Sequence, residues 1–168
     1  MPEVCAPSSR GEYCSARHVE ISYILDRRLA VGGGIWTAEA MATLARMGFT
    51  HIVNLQIEFD DRELARDAGI EALWNPTDDD FEPKPAEFFE RSTRFALEAL
   101  QDERAQVYVH CAAGIHRAPL TTAAILCALG YEPNDAVRLV AARRSGADFP
   151  EVYVDSLRAW AAEREARV

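Results

Sequence analysis

Hydrophobic and polar positions alternate along this chain in short packets that change period from two to about 3.6 and back. Val19 to Ile24 and Arg28 to Val31 predict two short strands around a turn at Asp26-Arg27. The glycine run 32–34 permits a tight loop, and Thr37 is placed to cap an alanine-rich helix from Ala38 to Met47, stopped by Gly48. His51 to Leu55 (HIVNL) predicts a buried strand, Asp60 to Asp67 a short helix ended by Gly69, and Ile70 to Trp74 another strand. The acidic loop Asn75 to Asp80 leads into an amphipathic helix, about Pro85 to Glu103, with Phe88, Phe89, Phe95 and Leu100 toward the core. Gln106 to His110 predicts a further strand. Three helices finish the chain: Pro119 to Leu129 stopped by Gly130, Asn134 as N-cap to Arg143, and about Glu151 to Arg164.

Such alternation predicts an α/β fold, a central and mostly parallel sheet of about five strands flanked by helices. The 168 residues suit one domain. Residues 1–17 are polar, with Pro, Ser and Gly, and predict a flexible arm ahead of a single domain over 18–168. Open parallel sheets bind ligands beyond the carboxyl ends of their strands. His110-Cys111 stands at such an end.

Composition narrows the partners. The 27 acidic residues against 18 Lys and Arg give a formal charge of -9, which argues against general nucleic-acid or anionic-membrane binding. An anionic ligand would have to be drawn by one local pocket. Four cysteines, at 5, 14, 111 and 127, form no CxxC pair and suit a reducing compartment. The first residues lack the basic and apolar stretches of a secretory signal, and no apolar run approaches the ~20 residues of a membrane span. The expectation is a soluble cytoplasmic protein.

The stretch Val107 to Pro119, VYVHCAAGIHRAP, carries the chemistry. If Cys111 to Arg117 curls at the start of the next helix, successive N–H groups can point inward and the helix start adds partial positive charge. Ala112, Ala113 and Gly114 are small enough for close backbone approach, and Gly114 can take the positive φ a curled nest needs. Pro119 falls in the first helical turn, where a missing N–H costs nothing. Arg117 can grip two oxygens of an oxyanion in bidentate fashion. A helix start beside a cation favours the thiolate form of a cysteine such as Cys111, which is its nucleophilic form. His110 is placed to hydrogen-bond the loop backbone or the sulfur, and Ile115 and His116 complete the loop. A lone cysteine after a strand is more often a core residue, and a lone arginine a surface one. Together with His110, Gly114 and the strand-to-helix context they point to catalysis.

His110-Cys111, five residues and Arg117 resemble the HCx5R motif of the cysteine-dependent protein tyrosine phosphatase superfamily. LAVGGGIWT, THIVNL, and NPTDDDFEP followed by EFFERSTRFALEAL resemble, in order, segments of its small dual-specificity branch, over about residues 19 to 160. The resemblance implies that Cys111 attacks phosphorus, that Arg117 binds the phosphoryl oxygens, and that residues 112–116 form the phosphate loop. It also implies an aspartic acid that protonates the leaving group and then activates water. Pro76, Asp79 and Pro83 fit the spacing of family acid loops, which favours Asp79 with Asp78 and Asp80 as alternatives. Repulsion among these three adjacent carboxylates is expected to keep at least one protonated. No metal or other cofactor is implied.

One departure matters: the family normally has Ser or Thr after the arginine, and this chain has Ala118. Without that hydroxyl the phosphoenzyme is expected to break down slowly. The leading expectation is a phosphatase of phosphotyrosine, and of phosphoserine or phosphothreonine, acting on a phosphorylated protein or small monoester. Inositol phosphates, phosphoinositides or RNA 5′-phosphates are the alternative substrates, although the loop lacks the Lys or Arg that highly charged substrates favour. A catalytically impaired phosphate-binding module is a further alternative, supported only by Ala118. A thiol redox enzyme such as an arsenate reductase would need a resolving cysteine, which the sequence does not offer. Cys127 reads as core, Cys5 and Cys14 as incidental to the arm, and Arg143-Arg144 as placed for a helix dipole or, less readily, for substrate. Trp36, Trp74 and Trp160 read as packing residues, with Trp36 also able to line the mouth of the site.

Overall fold

The computed structural model describes residues 13–16 and 19–168. The elements are β1 (Tyr13–Ala16), β2 (Val19–Leu25), β3 (Leu29–Gly32), α1 (Ala38–Arg46), β4 (His51–Gln56), α2 (Arg62–Asp67), β5 (Glu71–Thr77), α3 (Ala86–Leu100), β6 (Val107–His110), α4 (Arg117–Ala128), α5 (Pro133–Arg143) and α6 (Glu151–Ala166). One six-stranded sheet runs in the order β1-β2-β3-β6-β4-β5. The three pairings on the β5 side are parallel, and β1 and β2 add on antiparallel. The α/β fold with a mostly parallel sheet is therefore as expected.

β6 lies between β3 and β4 and is buried along its whole length, which is why VYVH reads as a continuous apolar run rather than an alternating one. Its side chains still alternate between two cores. Val107 and Val109 pack with Leu29, Val31, Val53 and Leu55 against α3 to α6. Tyr108 packs with Ala30 and Ile52 against α1 and α2. At roughly 25 cal/mol per Å² of apolar surface removed from water, these two layers supply most of the drive for folding.

Several boundaries depart from expectation for local reasons. Tyr13–Ala16 forms the sixth strand, paired with β2 from Tyr13↔Ser22 to Ala16↔Val19, inside the segment expected to be an arm. Cys5 and the remainder of that segment lie outside the described residues. Asn134 is not the cap of α5; Glu132 takes that place, because Pro133 occupies the first helical turn where proline fits best. β5 continues to Thr77, so the start of the acidic loop is strand. α4 begins at Arg117, two residues before Pro119. Thr37 caps α1 as expected, its Oγ1 accepting from the Ala40 N–H at 3.1 Å. No helix among the described residues is long and apolar enough to cross a membrane.

Candidate active site

β6 delivers His110 to the carboxyl end of the sheet, paired with Gly32 on one side and Asn54 on the other. The chain then turns through residues 111–116 and enters α4 at Arg117. Gly114 makes the turn at φ 68°. A Cβ there would lie 2.5 Å from the Gly32 carbonyl oxygen and from Arg144 Nη2, so conformation and space both demand glycine.

Donors from outside fix the shape of this loop. The Gly34 N–H donates to the Ala112 carbonyl at 2.9 Å, and the Asp148 N–H to the Ile115 carbonyl at 2.8 Å. Arg144, nearly fully buried, donates from Nε to the Gly114 carbonyl at 2.6 Å and from Nη2 to the Ala113 carbonyl at 3.3 Å. Its Nη1 reaches Ser22 Oγ on β2 at 3.2 Å. Arg144 thus buttresses the loop from beneath, a role beyond the helix-dipole placement its position suggested. These donors engage the carbonyls of residues 112–115 from outside the loop. The Gly114 N–H lies 3.2 Å from Cys111 Sγ.

Cys111 is buried, in one apolar cluster with Ala118. His110 is fully buried beneath it. Its Nε2 is 2.7 Å from Asp61 Oδ2 and its Nδ1 3.3 Å from the Cys111 carbonyl oxygen. A carbonyl only accepts, so Nδ1 is the donor in that contact, and the imidazole bridges Asp61 to the Cys111 backbone. Asn54 Nδ2 donates to the other Asp61 oxygen at 3.0 Å. The Tyr108 ring stacks on the imidazole at 5.5 Å, and its hydroxyl donates to the Gly33 carbonyl at 2.6 Å.

Arg117, 5% exposed, donates from Nη1 to Glu58 Oε1 at 2.6 Å and to the Thr77 carbonyl at 2.9 Å, and from Nη2 to Glu58 Oε2 at 3.1 Å. Its Nε is buried with no partner. The hydrogen bond from Arg117 holds the Glu58 carboxyl below the usual glutamate range. Burial works against the Arg117 charge, but Glu58 and the neighbouring Cys111 and Asp79 charges shift the guanidinium upward overall.

The three aspartates are sorted by their partners. Asp80 Oδ1 pairs with Lys84 Nζ at 2.8 Å, and that hydrogen bond holds its carboxyl below the usual range, opposite to the repulsion expected of the trio. Asp78 is exposed, and its carbonyl accepts from the same ammonium at 2.7 Å. Asp79 is half-buried and meets the loop: Oδ2 lies 2.8 Å from His116 Nδ1, while Oδ1 accepts from the Tyr153 hydroxyl at 2.8 Å. Burial pushes the Tyr153 hydroxyl up to about 12, which keeps it a donor. His116 Nε2 in turn faces Asp148 Oδ2 at 3.1 Å.

Glu58, Asp61, Arg144 and Tyr153 were not singled out in these roles from sequence. Glu58 and Asp61 sit in the loop after β4, at the same carboxyl edge as Cys111, and that topological rule is the signal that could have found them. Cys127 behaves as a core residue, its thiol pushed up to about 11 by burial. Trp160 is buried, whereas Trp36 is half exposed beside the glycine loop.

Residues 34–163 match the family model described as dual specificity phosphatase, catalytic domain. Similar solved structures include PTPMT1 in complex with PI(5)P, at 22% identity over 84% of this chain and 95% of that one, with a TM-score of 0.74. A mouse putative dual specificity phosphatase complexed with zinc tungstate shares 20% identity over 95% and 96% of the two chains, TM-score 0.75. Human DUSP28 shares 18% over 92% and 99%, TM-score 0.73. No curated protein sequence gives a significant match. The chain belongs to the dual specificity phosphatase catalytic-domain family, and it is a phosphatase of the protein tyrosine phosphatase superfamily.

Proposed function

We propose that the protein hydrolyses phosphomonoesters, phosphotyrosine first and phosphoserine or phosphothreonine second, through a cysteinyl-phosphate. The observation that carries this is the Arg117 guanidinium, held end-on by Glu58 while its buried Nε lacks a partner. An orphaned buried donor is costly, and a phosphoryl oxygen on the Nε and Nη2 side would satisfy it without displacing Glu58. The loop N–H groups and the start of α4 would bind the remaining oxygens.

In the first step Cys111 Sγ bonds to phosphorus as the P–O bond to the leaving group breaks. Asp79 delivers its proton to the departing oxygen. In the second step water attacks phosphorus, Asp79 takes its proton, and the S–P bond breaks to return the thiolate and free phosphate. His116 shares the proton at Asp79 Oδ2 between turns. Nucleophile, cation and acid are all side chains, so the proposed mechanism requires no metal. Ala118 supplies no hydroxyl to the sulfur, and losing one charge-assisted hydrogen bond costs ~1.5–3 kcal/mol in the second step.

Hydrolysis of p-nitrophenyl phosphate in EDTA tests the reading. Turnover by wild type, abolished in Cys111→Ser and strongly reduced in Asp79→Asn, supports it. Loss at Cys111 with Asp79→Asn unaffected moves the acid to Asp78 or Asp80. Phosphate binding without turnover makes the protein a binding module.

A further inference from the structure

Seven large hydrophobic residues are exposed among the described residues, and four of them, Trp36, Ile57, Phe81 and Ile115, surround the Cys111–Arg117 loop. Two of them touch or belong to it, and the other two adjoin residues that do. Trp36 lies two residues beyond Gly34, which donates to Ala112, and Ile57 adjoins Glu58, which holds Arg117. The Phe81 ring stands edge-on to His116 at 5.1 Å, and Ile115 belongs to the loop itself. Trp36 and Phe59 join two of these segments by ring contact at 5.4 Å. Scattered exposed apolar residues need no explanation, but a ring of them around a buried oxyanion nest does.

Phe81 adds a second observation. It sits at φ 59°, a conformation that costs a bulky residue energy. Its N–H donates to the Tyr153 hydroxyl at 3.1 Å and its ring stacks on Tyr153 at 5.9 Å, yet half of the side chain faces solvent. The strained turn therefore holds an aromatic face at the mouth.

Among the described residues, the exposed charge beside the acidic loop and the Cys111–Arg117 loop is mainly acidic. Asp78, Glu82 and Asp148 are exposed there. Lys84, Arg117 and Arg144 are buried and committed to Asp80, Glu58 and the loop carbonyls. Arg62 is paired with Asp60. Arg143, beside Arg144 at the end of α5, is exposed.

We infer that the substrate is a single phosphomonoester carried on an apolar, aromatic-bearing segment with Lys or Arg beside it, that is, a phosphotyrosyl peptide of basic character. This rests on the reading of the site as a phosphomonoester hydrolase. The aromatic ring of the substrate lies against Phe81 and Trp36, and its flanking cations face Asp78, Glu82 and Asp148. A substrate with several phosphates meets an acidic rim instead.

The test uses the full chain with matched phosphotyrosyl peptides carrying Arg or Glu on both sides of the phosphotyrosine, and a short-chain phosphatidylinositol 5-phosphate. Dissociation constants are measured on Cys111→Ser, and kcat/KM on wild type. The basic peptide is expected to bind about tenfold tighter than the acidic one at low salt, with the gap narrowing in high salt. Glu82→Lys should lower the ratio of basic to acidic peptide, a ratio that cancels any change in overall activity. Equal binding of the two peptides overturns the inference. So does a preference for the phosphoinositide that Arg143→Ala removes. Failure of the underlying hydrolase reading shows separately, as absent p-nitrophenyl phosphate turnover with the peptide preference intact.

Discussion

Asp61 and His110 stand 2.7 Å apart, neither exposed to solvent, and the histidine's other nitrogen faces the carbonyl of Cys111. The carboxylate holds the imidazole from one side while its other nitrogen meets the backbone at the start of the loop. Asp61→Asn keeps the shape but replaces the buried carboxylate facing Nε2 with a neutral amide. We expect kcat/KM to fall about tenfold, the effect of losing ~1.4 kcal/mol. An unchanged kcat/KM in Asp61→Asn would make Asp61 a packing residue only. Asp61→Ala, which strips a buried charged partner, should cost ~3–5 kcal/mol of stability in urea unfolding.

Glu58 holds the far end of Arg117, so Glu58→Gln should weaken inhibition by inorganic phosphate roughly tenfold by freeing the guanidinium to swing. The pair also predicts a pH dependence. The folded state holds Glu58 below its usual range, so its stabilising contribution is present above the ordinary value of ~4.3 and fades as pH falls through the lowered one. Thermal unfolding of wild type and Glu58→Gln should therefore differ at pH 7 and converge near the acid end. Glu58 is about two-fifths exposed, so the difference at neutral pH should be modest.

Tyr153 positions Asp79 from the opposite side of the acid loop. Tyr153→Phe removes the donor to Asp79 Oδ1 and the acceptor for the Phe81 N–H, while keeping the ring stacked. Turnover of poor leaving groups such as an alkyl phosphate should drop about tenfold, and that of p-nitrophenyl phosphate much less, since its leaving group needs little protonation. A uniform drop across leaving groups would count against a role through the acid.

Ala118 predicts that dephosphorylation of the enzyme is the slower step. Rapid-quench experiments on wild type should show a burst of leaving group ahead of steady turnover. Ala118→Ser should shrink the burst and raise kcat. No burst, with turnover unchanged in the variant, would show that the missing hydroxyl is immaterial.

Much of this site is written locally in the sequence. The apolar run ending in His-Cys, the small residues after it and the arginine at a helix start lie within a dozen positions, and a local physical argument reaches them. The proposal of Asp79 as the acid rests on proline spacing, and the fold follows from the change of hydrophobic period. The supporting residues resist such reading because they act across the chain. Arg144 looks like an ordinary helix-terminal cation until α5 packs beside β2 and brings it under Gly114. Tyr153 looks like one apolar position among several on α6, and its hydroxyl meets Asp79 across 74 residues. At α5 one turn rule outweighs another: proline at a helix start prevails over the capping preference of Asn134.

The clamp of Arg144 on the Cys111 loop also orders events during synthesis. β6, the loop and α4 leave the ribosome before the residue that shapes the loop exists, and Asp79 waits longer still for Tyr153. A growing chain that ends before α5 carries Cys111, Asp79 and Arg117 but neither Arg144 nor Tyr153, so it is expected to hold the motif without the two side chains that clamp it.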